Sequence, residues 1–146
     1  MKTILTAIDF SGATDAVVST AAELTRALGG ELHLLHVEAP NPDFVGYEPG
    51  PQTVRDQVAK SMAEDRDDII TLRDRLKAGG IVAHALVVQG PTVRKIVEEA
   101  ERLPADLVVI GSHGHGALYD LVLGSVSDGV VRKAPCPVLV VPKPQG

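Results

Sequence analysis

At 146 residues the chain has the length of one domain and can bury a core without disulfide or metal staples. Apolar residues make up 45% of it but aromatics only 3%, with no Trp, so Val, Leu, Ile and Ala have to build the core, as in a parallel sheet covered on both faces. The net charge of −5 without a basic tract argues against a nucleic-acid surface, and the lone Cys136, set between Pro135 and Pro137, excludes an internal disulfide or thiolate cluster and reads as an inert thiol. No apolar run nears the roughly 18 residues that span a bilayer, and the early Asp9 breaks any signal-peptide pattern. A cytoplasmic protein of one domain, residues 1–146, is the expectation.

Strand-like and helix-like segments alternate along the chain. Thr3 to Ile8 reads as the first strand. Ala13, Val17, Ala21, Leu24 and Leu28 recur at spacings of three and four, which predicts an amphipathic helix ending at Gly29-Gly30. Glu31 to Val37 is a second strand, and the Pro/Gly-rich stretch Ala39 to Gly50 is too long for an idle turn and suits a lid or binding loop. A charged helix follows over Pro51 to Ala78, with Val54, Val58, Met62, Ile69, Leu72 and Leu76 on its buried side. Ile81 to Val88 makes a third strand. Pro91 suits a first helical position, ahead of a face formed by Val93, Ile96, Val97, Ala100 and Leu103. Asp106 to Ile110 and Val138 to Val141 complete a set of five strands, with a helical segment Val126 to Lys133 between them.

Strands separated by helices imply right-handed crossovers and an open, mostly parallel, doubly wound sheet. The usual strand orders are 2-1-3-4-5 and 3-2-1-4-5, and ligands bind where the winding direction switches. In the second order the switch lies between strands one and four, which would bring Ala7, Ile8 and Asp9 beside Gly111.

The stretch with most chemistry is Gly111-Ser112-His113-Gly114, followed after nine residues by Gly124-Ser125. Glycines just past a buried strand allow a sharp turn and close backbone approach to a ligand. Small hydroxyl residues, Ser125 and Ser127, then open a helix whose first amides are unpaired, a combination that makes an anion site. Alternative readings stand beside this one. The glycines serve turn geometry alone, Ser125 is an N-cap, and Asp9 closes an Asx-turn.

Gly111-x-x-Gly114, nine residues, then Gly124-Ser125, set within Asp106-Leu-Val-Val-Ile-Gly-Ser-His-Gly-His-Gly and Leu-Gly-Ser-Val-Ser through Ala-Pro-Cys-Pro-Val-Leu-Val-Val, resembles the nucleotide-binding signature of the universal stress protein family. Ile4 to Asp9 with Phe10-Ser11 resembles that family's opening strand and turn. The resemblance implies strand order 3-2-1-4-5, a homodimer, and ATP, ADP or AMP held without a Walker-type lysine. It implies that Gly111, Ser112, His113, Gly114 and His115 cradle phosphates and ribose, and that Gly124, Ser125 and Val126 meet phosphates at the helix start. Ser125 and Ser127 would add hydroxyl donors, Asp9 would accept from ribose hydroxyls, Ala7 and Ile8 would flank base or sugar, and the Val37 backbone would bond the adenine edge. His113 and His115 stand where the family more often has basic side chains, and either ring could donate to a phosphate or point to solvent.

A zinc site built from His33, His36 and His84 is disfavoured, because residues three apart on a strand face opposite sides and no carboxylate or thiol spacing supports it. Gly-x-Ser-x-Gly and Walker motifs are absent. Asp9 alone, even holding Mg²⁺, falls short of a hydrolytic apparatus. The expected function is therefore that of a dimeric ATP-binding, nucleotide-responsive stress factor, with Val138, Leu139, Val140 and Val141 pairing across a two-fold axis as an exposed sheet edge. A slow Mg-dependent ATP hydrolase and a nucleotide-free interaction module are the alternatives.

Overall fold

The computed structural model describes residues 2–38, 52–112 and 123–143, with residues 52–59 and 61 described by backbone alone. Among the described residues nine elements alternate in chain order: β1 (Thr3–Ala7), α1 (Thr14–Leu28), β2 (Glu31–Glu38), α2 (Gln52–Ala78), β3 (Val82–Gln89), α3 (Thr92–Arg102), β4 (Leu107–Gly111), α4 (Ser125–Lys133) and β5 (Val138–Val141). The five strands form one sheet in the order β3-β2-β1-β4-β5, and every neighbouring pair is parallel. Of the two orders left open by the periodicity, the one with β1 at the centre is adopted.

Alternation along the buried strands sends successive side chains to opposite faces. Ile4, Leu32, Leu34 and Val109 face α1 and α2, where they meet Val17, Val18 and Ile69. Leu5, Leu35, Val108 and Ile110 face α3 and α4, where they meet Ile96, Ala100 and Val130. Two apolar layers, both built of aliphatic side chains, explain why so few aromatics suffice.

Local chemistry sets the ends of the elements. α1 stops because Gly29 takes the left-handed conformation (φ 64°), which lets the Gly30 amide reach the Thr25 carbonyl at 3.1 Å. Pro91 differs from its expected helical role: with φ −61° and ψ 127° it is extended and caps α3 from outside, so the helix begins at Thr92. The loop 39–50, expected to be a lid, lies outside the described residues.

Burial separates positions that look alike in sequence. Leu34 is fully buried, whereas Val82 on edge strand β3 is 56% exposed. Leu34→Ala should cost about 2–5 kcal/mol, because the surrounding layer closes only partly over the cavity. Val82→Ala should stay within about 0.5 kcal/mol. Urea midpoints at an unchanged slope check both, and equal losses would contradict this assignment of the core.

Candidate functional site

β1 and β4 lie side by side, yet β1 leads into α1 on one face of the sheet and β4 leads towards α4 on the other. Among the described residues no connection crosses the gap between their carboxyl ends, and a crevice opens there. It forms a cleft of about 820 Å³, bounded by Ala7, Ile8 and Asp9 at the end of β1, Val37 on β2, Gly111 on β4, and Gly124, Ser125, Val126 and Ser127 at the start of α4. A volume of this size suits a nucleotide-sized ligand. His113, Gly114 and His115 lie outside the described residues.

Ser112 holds the base of the glycine loop through its backbone. Its amide donates to the Val141 carbonyl at 2.8 Å, and its carbonyl accepts the Gly124 amide at 2.8 Å. The two flanks of segment 113–122 are thereby clasped together. Ser127 tightens the clasp. Expected as a phosphate donor, it is instead 4% exposed, and its hydroxyl lies 2.8 Å from both the Gly111 and Ser112 carbonyl oxygens. A hydroxyl has one proton to donate, and here carbonyls at the end of β4 take it.

At the other side of the clasp, Gly124 and not Ser125 is the N-cap of α4 (φ −61°, ψ 160°), and among the described residues no side chain caps the helix. The bond from the Asp128 amide to the Gly124 carbonyl at 2.9 Å opens the helical ladder. The amides of Ser125, Val126 and Ser127 precede it and have no carbonyl within the helix to meet. Together with the positive end of the helix dipole they form an anion-attracting rim on the cleft. The Asx-turn reading of Asp9 is realised: its Oδ1 accepts the Ser11 amide at 2.9 Å. The turn also places Phe10 at φ 58°, a conformation uncommon for a bulky residue.

The β2 side of the cleft holds residues that the sequence did not single out as neighbours. His36 is 7% exposed; its Nδ1 lies 2.8 Å from the Ile8 carbonyl and its ring centroid 4.9 Å from that of Phe10. Its Nε2 is 3.2 Å from both Glu38 Oε1 and Asp65 Oδ2, the latter carried by α2. Burial, foremost, and the neighbouring Asp65 hold the Glu38 carboxyl above the usual carboxylate range. The cleft is therefore polar in a directed way, with carboxylates towards β2 and helix amides towards β4.

The other two histidines of the imagined zinc set stand apart from His36, as the pleat requires. His33 stacks on His84 across strands, with ring centroids 4.5 Å apart. Glu31 lies 2.9 Å from His33 Nε2 and 3.7 Å from His84 Nε2. The hydrogen bond from His33 holds the Glu31 carboxyl below its usual range. Both clusters use a carboxylate two residues from a histidine on the same strand, a spacing visible in the sequence as Glu31-x-His33 and His36-x-Glu38. At Cys136, burial, foremost, and the Asp106 carboxylate push the thiol up, so little thiolate is present at neutral pH.

An open, doubly wound parallel sheet in the order β3-β2-β1-β4-β5, with a cleft at its switch point, defines the class: a doubly wound α/β protein. Residues 1–142 match the universal stress protein family, and the chain belongs to that family. A universal stress protein of Thermus aquaticus, encoded 3′ of a QAH/OAS sulfhydrylase, is 35% identical over 140 residues, covering 96% of this chain and 98% of the relative. The solved structure of protein MJ0577 of Methanocaldococcus jannaschii superposes with a TM-score of 0.82 at 26% identity, covering 99% of this chain and 98% of that one. A universal stress protein solved in complex with cAMP superposes with a TM-score of 0.72 at 25% identity, covering 98% of each chain.

The clasp has a measurable worth. Ser127→Ala should destabilise the protein by about 1–2 kcal/mol, since it removes a buried donor from two carbonyls. Exposed Ser125→Ala should change stability by no more than about 0.5 kcal/mol. Denaturant midpoints of the two variants test this, and equal midpoints would mean that Ser127 does not hold the clasp.

Proposed function

We propose that this chain is a cytoplasmic stress protein that binds an adenine nucleotide, ATP or its mono- and diphosphate relatives, in the cleft between β1 and β4. The observation that carries the reading is the rim of helix amides at Ser125, Val126 and Ser127 beside a cleft of nucleotide size. Phosphates would sit on that rim, where amides and dipole supply positive potential without a lysine. The sugar would lie over Ala7, Ile8 and Asp9, with the Asp9 carboxylate accepting from ribose hydroxyls, and the base would lie towards Val37. Gly111, Ser112, His113, Gly114 and His115 would cradle the phosphates and ribose. Mg²⁺, when it accompanies ATP, would be held chiefly by the phosphates, with Asp9 the nearest carboxylate of the turn. cAMP binding by a relative of the same fold supports the choice of an adenine nucleotide.

The role is regulatory and not that of a fast enzyme. The chain has neither a Walker-type lysine nor a Gly-x-Ser-x-Gly nucleophile motif to drive rapid turnover. The same proposal makes the protein a homodimer through β5, where Leu139 is 37% exposed on an edge strand with no further strand beside it among the described residues. Nucleotide binding would then set the shape of the surface that a partner reads.

Ser125→Pro tests the phosphate position directly. Proline fits the first position of a helix and removes one amide donor, and the extended Gly124 before it is compatible. Calorimetric titration with ATP should show affinity lowered by about 10–100-fold, the loss of one hydrogen bond to a charged group. Ser125→Ala, which keeps the amide, should lose far less. Unchanged affinity in Ser125→Pro, or no ATP binding by the parent protein, would contradict the reading.

A further inference from the structure

We infer that His36, Glu38 and Asp65 form a binding site for a divalent transition-metal cation, on the β2 side of the cleft and separate from the helix rim. Their ligand atoms, His36 Nε2, Glu38 Oε1 and Asp65 Oδ2, all lie within 4.8 Å of one another. One imidazole and two carboxylates suit Zn²⁺, Co²⁺ or Mn²⁺.

The site is prepared in the way metal sites are. A histidine that binds a metal through one nitrogen almost always donates from the other, which fixes its tautomer and its aim. His36 Nδ1 donates to the Ile8 carbonyl at 2.8 Å, leaving Nε2 directed at the two carboxylates. The ring cannot swing away, because it is 7% exposed and Phe10 lies against it.

The distances suit shared ligation. Both carboxylate oxygens stand 3.2 Å from Nε2, the Asp65 contact at hydrogen-bond length. About 3.0–3.4 Å is the spacing between ligand atoms that each lie about 2.1 Å from one cation. Glu38 Oε1 is fully buried and, among the described residues, has the 3.2 Å ion-pair contact with His36 Nε2 but no hydrogen bond of good geometry. Such a group costs free energy unless something compensates it, and a cation between the three atoms would do so. The remaining coordination positions open towards the cleft that the three residues line, where water completes the shell.

The test uses the full chain, stripped with a chelator and kept free of nucleotide, so it is independent of ATP binding. His33→Ala/His84→Ala is the background, which removes the other histidine–carboxylate cluster. Titration with Zn²⁺ and Co²⁺ should give one site per chain, with a visible d–d absorption band for Co²⁺. Glu38→Gln and Asp65→Asn should each weaken binding by at least ~10-fold, and the pair should abolish it. Circular dichroism and thermal melts of the metal-free variants establish that they are folded. Absence of a one-to-one site, or affinity in either carboxylate variant equal to that of the background protein, would overturn the inference. ATP titration in excess chelator reports separately on the helix rim.

Discussion

The pairing of β1 with β4, across more than a hundred residues of sequence, is the constraint on which the rest of the structure depends. The Thr3 amide donates to Asp106 Oδ2 and the Asp106 amide to the Thr3 carbonyl, each at 2.8 Å, so the two strands are locked at their entrance. From there Ile4, Leu5 and Thr6 run in register with Leu107, Val108 and Val109. β2 flanks β1 on the other side, and α1 and α4, the helices that follow β1 and β4, lie on opposite faces of the sheet. A cleft at their carboxyl ends follows from topology, before any side chain is considered.

What lines the cleft is then a matter of two short local devices. On the β4 side, Ser112 and Ser127 hold the start of α4 against the end of the strand, and the helix presents its first amides at the rim. On the β2 side, a buried histidine is aimed by the Ile8 carbonyl at a pair of carboxylates. Ile8 thus serves both halves. Its carbonyl orients His36 while its own amide bonds the Leu35 carbonyl at 2.9 Å, extending the ladder to the edge of the cleft. The directed polarity suits a ligand with an anionic end, since that end is attracted to the amides and repelled from the carboxylates.

Much of this was legible in the sequence because the determinants are local. Apolar runs of four to six residues bounded by Gly and Pro mark buried strands, and Gly29 marks the end of α1 through its left-handed conformation. The glycine–serine spacing points to β4 and α4 because loop and helix are adjacent in the chain. The rest depends on register and on long-range approach. Asp65 meets His36 from a helix 29 residues away, and no periodicity specifies which turn of α2 lies over the end of β2. His84 meets His33 only because β3 pairs with β2 in that register. Ser125 and Ser127 look interchangeable as sequence, yet one is exposed at the first helical position and the other is buried under the loop, a difference of two residues on a helix that turns about 100° per residue.

The central claim, that the amides opening α4 receive the phosphates of an adenine nucleotide, is tested most directly by nuclear magnetic resonance of the ¹⁵N-labelled protein titrated with AMP. The account predicts saturable shifts of the Ser125, Val126 and Ser127 amides, accompanied by those of Ile8 and Asp9 across the cleft. Saturable shifts confined to β3 and the exposed face of α2, or none at millimolar AMP and ATP, would contradict it.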